Sequence, residues 1–362
     1  MISTVPPRRA RLLLEFPELL DYARAAVRLH PRPGSPSARV SNVGGPMLWP
    51  ADEPWPTCGL EHEVQVESVV MLSDEEAAER HAKLKQRLEE QLTRWAAHMP
   101  ASQLVPMREA LECQLAATPS TAHELRMITS GGRFADPVVL APVVQFFRRD
   151  APELPFPEGT DLLQILWCPG DHRGALGPQP IARWRSTAEL EHAEAAFPPL
   201  NHVAWDFWQI TPCEVHPEAL MEFPPICNAG PDNRRAELFG ILPRDLELRL
   251  RQRDESGTDE DVAYFRLVAA PGWKLGGWEI SMPEPDHLRT CSCGAAMRPL
   301  LHVADGEGLD HWPPNGEPDF PWGDPSQWRD QEPTGVSIGR NGLYWVLACT
   351  ADASHPLVTG VH

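Results

Sequence analysis

The sequence predicts an α+β protein of β-rich character, built as a pseudo-two-fold duplicated sheet unit with a helical insertion in its first half. Three observations predict it. The phrase Val43-Gly44-Gly45, followed by Cys58-Gly59, recurs as Leu275-Gly276-Gly277, followed by Cys291-Ser292-Cys293-Gly294, with 14 residues from Gly44 to Cys58 and 15 from Gly276 to Cys291. Short alternating or wholly apolar runs follow each copy, as strands require. Between the first copy and its later strands lies a long segment with helical periodicity.

In order along the chain, Glu18 to Arg24 reads as a short helix and Ala26 to His30 as a strand, ended by the turn Pro31-Arg32-Pro33-Gly34. After Cys58, the run Glu63 to Met71 alternates and then becomes apolar, as a strand entering a sheet does. Ser73 with Glu76 forms a capping box, and Leu84, Leu88, Leu92 and Trp95 continue one apolar stripe, so a helix opens at Ser73. A second helix is predicted over Met107 to Leu115. Strands resume at Val138 to Leu140, Val143 to Phe147 and Asp161 to Cys168, with a proline-rich loop over Pro152 to Gly159. Arg183 to Arg185 reads as strand and Thr187 to Ala196 as helix. The order of elements from Phe197 to Glu247 is not legible.

Gln252 to Asp261 has almost no apolar content, and places the predicted boundary between a first repeat over 1–252, with its insertion over about 73–117, and a second repeat over 262–362. The second half replays the first. Met297 to Val303 matches the strand after Cys58, and Gly342 to Cys349 matches Leu162 to Cys168, down to the terminal cysteine. An acidic, tryptophan-bearing loop runs from Asp305 to Glu332. The glycines Gly44, Gly45, Gly276 and Gly277 are predicted as tight turns with positive φ, which glycine enters without steric cost.

Composition narrows the function classes. A chain of 362 residues, 42% hydrophobic, buries a sizeable core. Its formal charge of −19 repels phosphate backbones and anionic membrane surfaces, which argues against nucleic acid and membrane as partners. With 40 prolines scattered among apolar residues, it is loop-rich and ordered. Leu12-Leu13-Leu14 is too short for a signal-peptide core and no run suits a membrane helix, so a cytoplasmic location is expected. In that reducing setting the eight cysteines are free thiols. Cys113, Cys168, Cys213, Cys227 and Cys349 are expected to act as small buried hydrophobes.

The order Leu-Gly-Gly-Trp at Leu275 to Trp278, then the cysteine-glycine step, Met297-x-x-Leu300-Leu301 and a closing Gly342-Leu343-Tyr344 strand, resembles the YwqG-like bacterial proteins, a family of unknown function. The same pattern is distantly similar to the eukaryotic programmed cell death protein family, whose members are chaperones of a ribosomal protein. The likeness covers roughly 43–168 and 274–349. It implies a two-repeat binding fold and carries over no catalytic residues. The first copy departs from the pattern in lacking a second cysteine and in its helical insertion. Gln145 takes the place of the glutamine that commonly ends the family's strand, whereas the second copy has His302.

Structural zinc takes four Cys or His ligands as two close pairs. The spacing permits one site shared across the pseudo-symmetric halves by Cys58, Cys291 and Cys293; leftover thiols are the competing reading. No nucleophile elbow, phosphate loop, His-Glu-x-x-His or dinucleotide fingerprint is present. The pairs Asp171-His172, Asp286-His287 and Asp310-His311 read as polar loops. The expected function is therefore non-catalytic binding of a protein or peptide, in a chaperone-like or immunity-type role. Trp49, Trp55, Trp278, His302 and Trp345 are the expected binding residues, since large aromatics anchor interfaces. The alternative is an uncharacterised enzyme or metal-dependent regulator centred on Cys291, Cys293 and His302.

Overall fold

The structure, a computed structural model, describes all residues except 1–7, 97–100, 135, 173, 176, 227–240, 257–262, 279–289, 308–311, 313–331, 339–341 and 362. It is α+β and β-rich, 27% helical and 32% strand. Its strands form open antiparallel sheets. The chain divides into two compact units, one of residues 1–62 with 135–362, the other of residues 63–134.

Among the described residues, two six-stranded sheets dominate the larger unit. In chain order their strands are β1 (Arg24–Arg28), β2 (Arg32–Pro33), β3 (Asn42–Val43), β4 (Ala141–Phe147), β5 (Leu162–Cys168), β6 (Gln179–Arg185), β7 (Cys213–Glu214), β8 (Glu218–Glu222), β9 (Lys274–Gly276), β10 (Met297–Ala304), β11 (Leu343–Cys349) and β12 (Val358–Val361). The first sheet has the order β6-β5-β4-β3-β7-β2 and the second β12-β11-β10-β9-β1-β8. Read side by side, the two orders match element for element. Even the irregularities match: β4 bulges at Val143 after Pro142, and β10 bulges at Leu300 after Pro299. Proline donates no ladder hydrogen bond, and a bulge is one of the few places a central strand tolerates it.

The expected cut near residue 252 does not divide the fold. Consecutive strands β1 and β2 lie in different sheets, as do β7 and β8, so each short connection hands one strand to each sheet. Strand β1 pairs with β9 through Ala26 and Gly276, Val27 and Leu275, and Arg28 and Lys274. Val27, Val144, Ile165, Trp167, Leu275, Leu301 and Val346 of both sheets share one buried core. The supposed linker is partly helical: a helix over Arg244–Ser256 includes Gln252 to Ser256, because Leu246 and Leu250 one turn apart are buried and Arg251 pairs with Glu247 at 2.6 Å.

Helices α1 (Arg8–Glu15), α4 (Arg244–Ser256) and α5 (Phe265–Val268) contribute to a second core of Leu12, Phe16, Leu19, Phe223, Leu246, Leu250 and Leu267. In the smaller unit, α2 (Asp74–Ala96) and α3 (Ala101–Ala116) accompany a two-stranded sheet of His62–Leu72 with His123–Phe134. The capping box forms as the sequence predicts. The Ser73 amide and hydroxyl both donate to Glu76 Oε2, at 2.9 and 2.7 Å, and the Glu76 amide donates back at 3.3 Å. Thr187 to Ala196 is not a helix: a 3₁₀ turn over Thr187–Leu190 leads into a strand, Glu194–Ala196, that pairs with Met47–Trp49. Tertiary pairing overrides the local preference there.

The diglycines do two different jobs. Gly44, Gly276 and Gly277 have φ of +64°, +69° and +76°. Gly45 does not lie in that region; it is needed for space, because a Cβ there would sit 2.6 Å from Pro36 Cγ and 2.7 Å from Asn42 Oδ1. Beside Gly277, the fully buried Lys274 Nζ donates to both Glu222 carboxylate oxygens at 2.7 Å. The amides of Ala270 and Trp278 each donate to the same carboxylate at 2.7 Å. A buried ion pair is tolerated only when its remaining hydrogen-bonding capacity is met in this way.

Candidate metal centres

Among the described residues, two clusters of four Cys and His side chains could each hold a metal ion, and both lie in the larger unit. The first gathers Cys58, His62, Cys168 and His172; the second gathers Cys291, Cys293, Cys349 and His355. Within each, all ligand atoms lie within 4.8 Å of one another.

Both are built the same way. One pair of ligands follows a diglycine turn, and the other begins at the last residue of a matched strand, Cys168 ending β5 and Cys349 ending β11. In the first cluster Cys58 sits in a short strand with Thr57 that pairs with Val138 and Val139, and His62 is the last residue before the smaller unit. Beyond Cys168 the chain turns at Gly170, where any Cβ would overlap the His62 ring, and returns His172 to the cluster. In the second, Cys291 and Cys293 occupy a knuckle. It is closed by Gly294 N–H to Cys291 O and Cys291 N–H to Ala295 O, each 2.8 Å, with Gly294 at φ +88°. His355 follows a turn after β11 in which the Ala351 amide donates to Cys349 Sγ at 3.4 Å.

The separations suit a tetrahedral ion. Bonds of about 2.3 Å to sulfur and about 2.0 Å to nitrogen imply tetrahedral edges of roughly 3.8 Å for S–S and 3.5 Å for S–N. In the first cluster Cys58 Sγ is 3.4 Å from His172 Nε2, and Cys168 Sγ is 3.2 Å from His62 Nε2. In the second, Cys293 and Cys349 sulfurs are 3.6 Å apart, and His355 Nδ1 is 3.5 Å from Cys291 Sγ and 3.4 Å from Cys349 Sγ. His355 Nε2 faces Asp352 at 3.7 Å, the carboxylate backing that orients ligating imidazoles.

Their electrostatics differ. In the first cluster burial pushes the Cys168 thiol up to about 12 and lowers His172. Without a cation, the Cys168 sulfur stays protonated. In the second, desolvation opposes ionisation of Cys349, but hydrogen bonds from His355 and the amides of Ala351 and Asp352 outweigh it and hold the thiol at about 6. The bond to Cys349 in turn raises His355.

No protein-family model matches the chain, and no curated protein does. The ligand geometry is internal to the two repeats.

Several expectations are corrected. Cys58 belongs to one cluster and Cys291 and Cys293 to another, so the shared site does not exist; each repeat completes its own set from its own strand end. Cys168 and Cys349 are buried but also belong to the clusters, Cys113 is exposed, and His172, on the loop after β5, is buried within the first cluster. Cys227, Asp286, His287, Asp310 and His311 lie outside the described residues. Trp49, Trp278 and Trp345 are 4%, 6% and 2% exposed, so they fill cores and present no face to a partner. Trp55 is half-buried, packs on Trp49 with ring centroids 4.7 Å apart, and donates from Nε1 to Leu140 O at 2.8 Å.

His302 belongs to neither cluster. It is fully buried, opposite Lys274 and Trp345 in the ladders, and its two ring nitrogens have no hydrogen-bond partner. Gln145, its counterpart, donates to Ala38 O at 2.6 Å and accepts from the Leu48 amide at 2.7 Å. Burial, reinforced by the Lys274 charge, holds His302 well below the ordinary histidine range. The unfolded chain therefore binds the proton that the folded chain refuses, and stability falls as pH drops below about 6.5, by up to about 1.4 kcal/mol per pH unit. Urea unfolding at pH 7.5 and 5.0 should show His302→Gln losing less stability than the parent over that interval. Equal losses would remove His302 as the source.

Proposed function

We propose that this chain is a non-catalytic protein-binding module whose two sheets are each clamped by a structural zinc ion. The observation that carries this reading is the completeness of both ligand sets. Cys₂His₂ and Cys₃His sets with tetrahedral separations are the donor chemistry of zinc, and four protein ligands leave no open position for substrate or activated water. The ions would hold strand ends in place, and the work would fall to the surface.

The formal charge of −19 suits a basic partner, which an acidic surface both attracts and screens. A ribosomal protein in an escort role, or a basic toxin in an immunity role, has that character, and the resemblance to the YwqG-like and programmed cell death protein families favours the escort. Thiol ligands fit the reducing cytoplasm.

Metal analysis of the chain purified without chelator should find two zinc ions per chain; none would end the zinc reading. Affinity capture from the native host at low salt should recover an abundant basic protein whose retention falls steeply as salt rises. Recovery of nothing above background, or of a salt-insensitive partner, would count against the binding role.

A further inference from the structure

We propose that the second cluster is a redox-labile zinc site, opened by a hydroperoxide through a disulfide between Cys293 and Cys349, while the first cluster is inert. This rests on reading both clusters as zinc sites.

Three differences between the clusters carry it. The first is access. Cys293 is exposed, whereas in the first cluster Cys168, His62 and His172 are buried and Cys58 is half-buried. The second is composition: the second cluster has three sulfurs and the first has two. Where Cys293 stands, two residues after Cys291, the first repeat instead has His62, four residues after Cys58. The first cluster is left with one pair of sulfurs, Cys58 and Cys168, and neither is exposed to an oxidant as Cys293 is. The third is geometry. The sulfurs of Cys293 and Cys349 are already 3.6 Å apart, and an S–S bond of about 2.05 Å needs little further approach. Cys293 sits in a knuckle beside Gly294, around whose Cβ position no atom of the described residues lies within 4 Å, so these leave the knuckle room to shift.

The chemistry balances with a hydroperoxide as oxidant. The Cys293 sulfur donates an electron pair to the distal peroxide oxygen, the O–O bond breaks, and a sulfenic acid forms as hydroxide leaves and takes up a proton. The Cys349 thiolate then attacks the sulfenic sulfur, forming the S–S bond and displacing a second hydroxide, which is also protonated. In sum, two thiolates, one hydrogen peroxide and two protons give one disulfide and two waters. Cys291 and His355 remain as ligands, too few to keep the ion, which leaves hydrated. A dithiol reverses the step by thiol–disulfide exchange, itself becoming the disulfide.

The test uses the full chain loaded with two zinc ions, treated with a small excess of hydrogen peroxide beside a chromogenic zinc indicator. One zinc equivalent should be released at least tenfold faster than the other. Peptide mass mapping without reductant should find Cys293 joined to Cys349, and dithiothreitol with added zinc should restore the second equivalent. Cys113→Ala removes an exposed thiol outside the clusters and should leave the release unchanged. Cys293→Ser in that background should hold one zinc and release none over the same time. Simultaneous release of both ions, release of neither, or a disulfide between another pair would overturn the redox assignment while leaving the zinc reading intact. A chain that binds no zinc overturns both.

Discussion

Replacing Cys168 with serine is expected to leave the chain with one zinc ion and to cost upward of about 4 kcal/mol of stability, the range in which loss of a structural metal falls. Cys168 is 1% exposed at the end of β5, which pairs with β4 on one side and β6 on the other. Without its sulfur, His62 and His172 lose the cation that would organise them, and the buried His172 Nδ1 already lacks a partner. Serine also places a hydroxyl in a pocket of rings and sulfur, adding a desolvation penalty. Cys349→Ser should also lose one ion but cost less, because its cluster is more open and shares a smaller, separate core with Met297, Leu343, Trp345 and Leu347. Metal analysis and urea unfolding of the two variants check the ordering. Retention of two ions by Cys168→Ser would contradict the first centre.

Lys274→Met should be about as damaging, at roughly 3–5 kcal/mol, for an electrostatic reason. Both members of the Lys274 and Glu222 pair are fully buried, and removing the ammonium leaves a buried carboxylate that keeps the amides of Ala270 and Trp278 as donors and only the more distant charges of Arg9 and Arg28. The carboxylate must then be held against its desolvation cost or take up a proton. Adding Glu222→Gln to Lys274→Met should recover part of the loss, since the uncharged amide costs less to bury. It should not recover all of it, because one carbonyl oxygen replaces two acceptors. Unfolding free energies of the two single variants and the double variant test this, and additive losses would show that the pair does not act as a unit.

The sequence carried the strands whose patterns are local. Leu162 to Cys168, Val143 to Phe147 and Met297 to Val303 are apolar runs bounded by turn residues, and the Ser73 capping box marks its helix within one residue. What it did not carry depends on partners distant in the chain. The three-residue strand Glu194–Ala196 exists because Met47–Trp49 lies beside it, and nothing in Glu-Ala-Ala announces that. Strand exchange between the sheets is equally silent, since Arg32–Pro33 reads as a turn and not as a strand of the other sheet. The two Cys and His clusters were half legible. Matching Cys168 with Cys349 already put one ligand of each at its strand end. The repeated Cys-x-x-x-His spacing, Cys58 to His62 and Cys168 to His172, would have completed the first set. The second uses Cys-x-Cys and a five-residue gap to His355, so the repeats conserve the places of the ligands without conserving their spacing.

The exchange of strands between the two sheets also sets a timetable for biosynthesis. Strand β1 leaves the ribosome early, yet its partners are β8, with Glu218 to Glu222 opposite Arg28 to Arg24, and β9, with Lys274 to Gly276 opposite Arg28 to Ala26. At about 5–20 residues per second the wait for β9 lasts roughly 12–50 seconds, far longer than local elements need to form. Until β8 is made, some 190 residues after β1, Ala26, Val27 and Arg28 have no native neighbour in the second sheet, and until β7 is made the first sheet lacks its link to β2. Neither sheet can be completed while the chain is half made. The last partners to arrive, β11 and β12, lie at the end of the sequence, so the second sheet closes only when nearly all of it has been made.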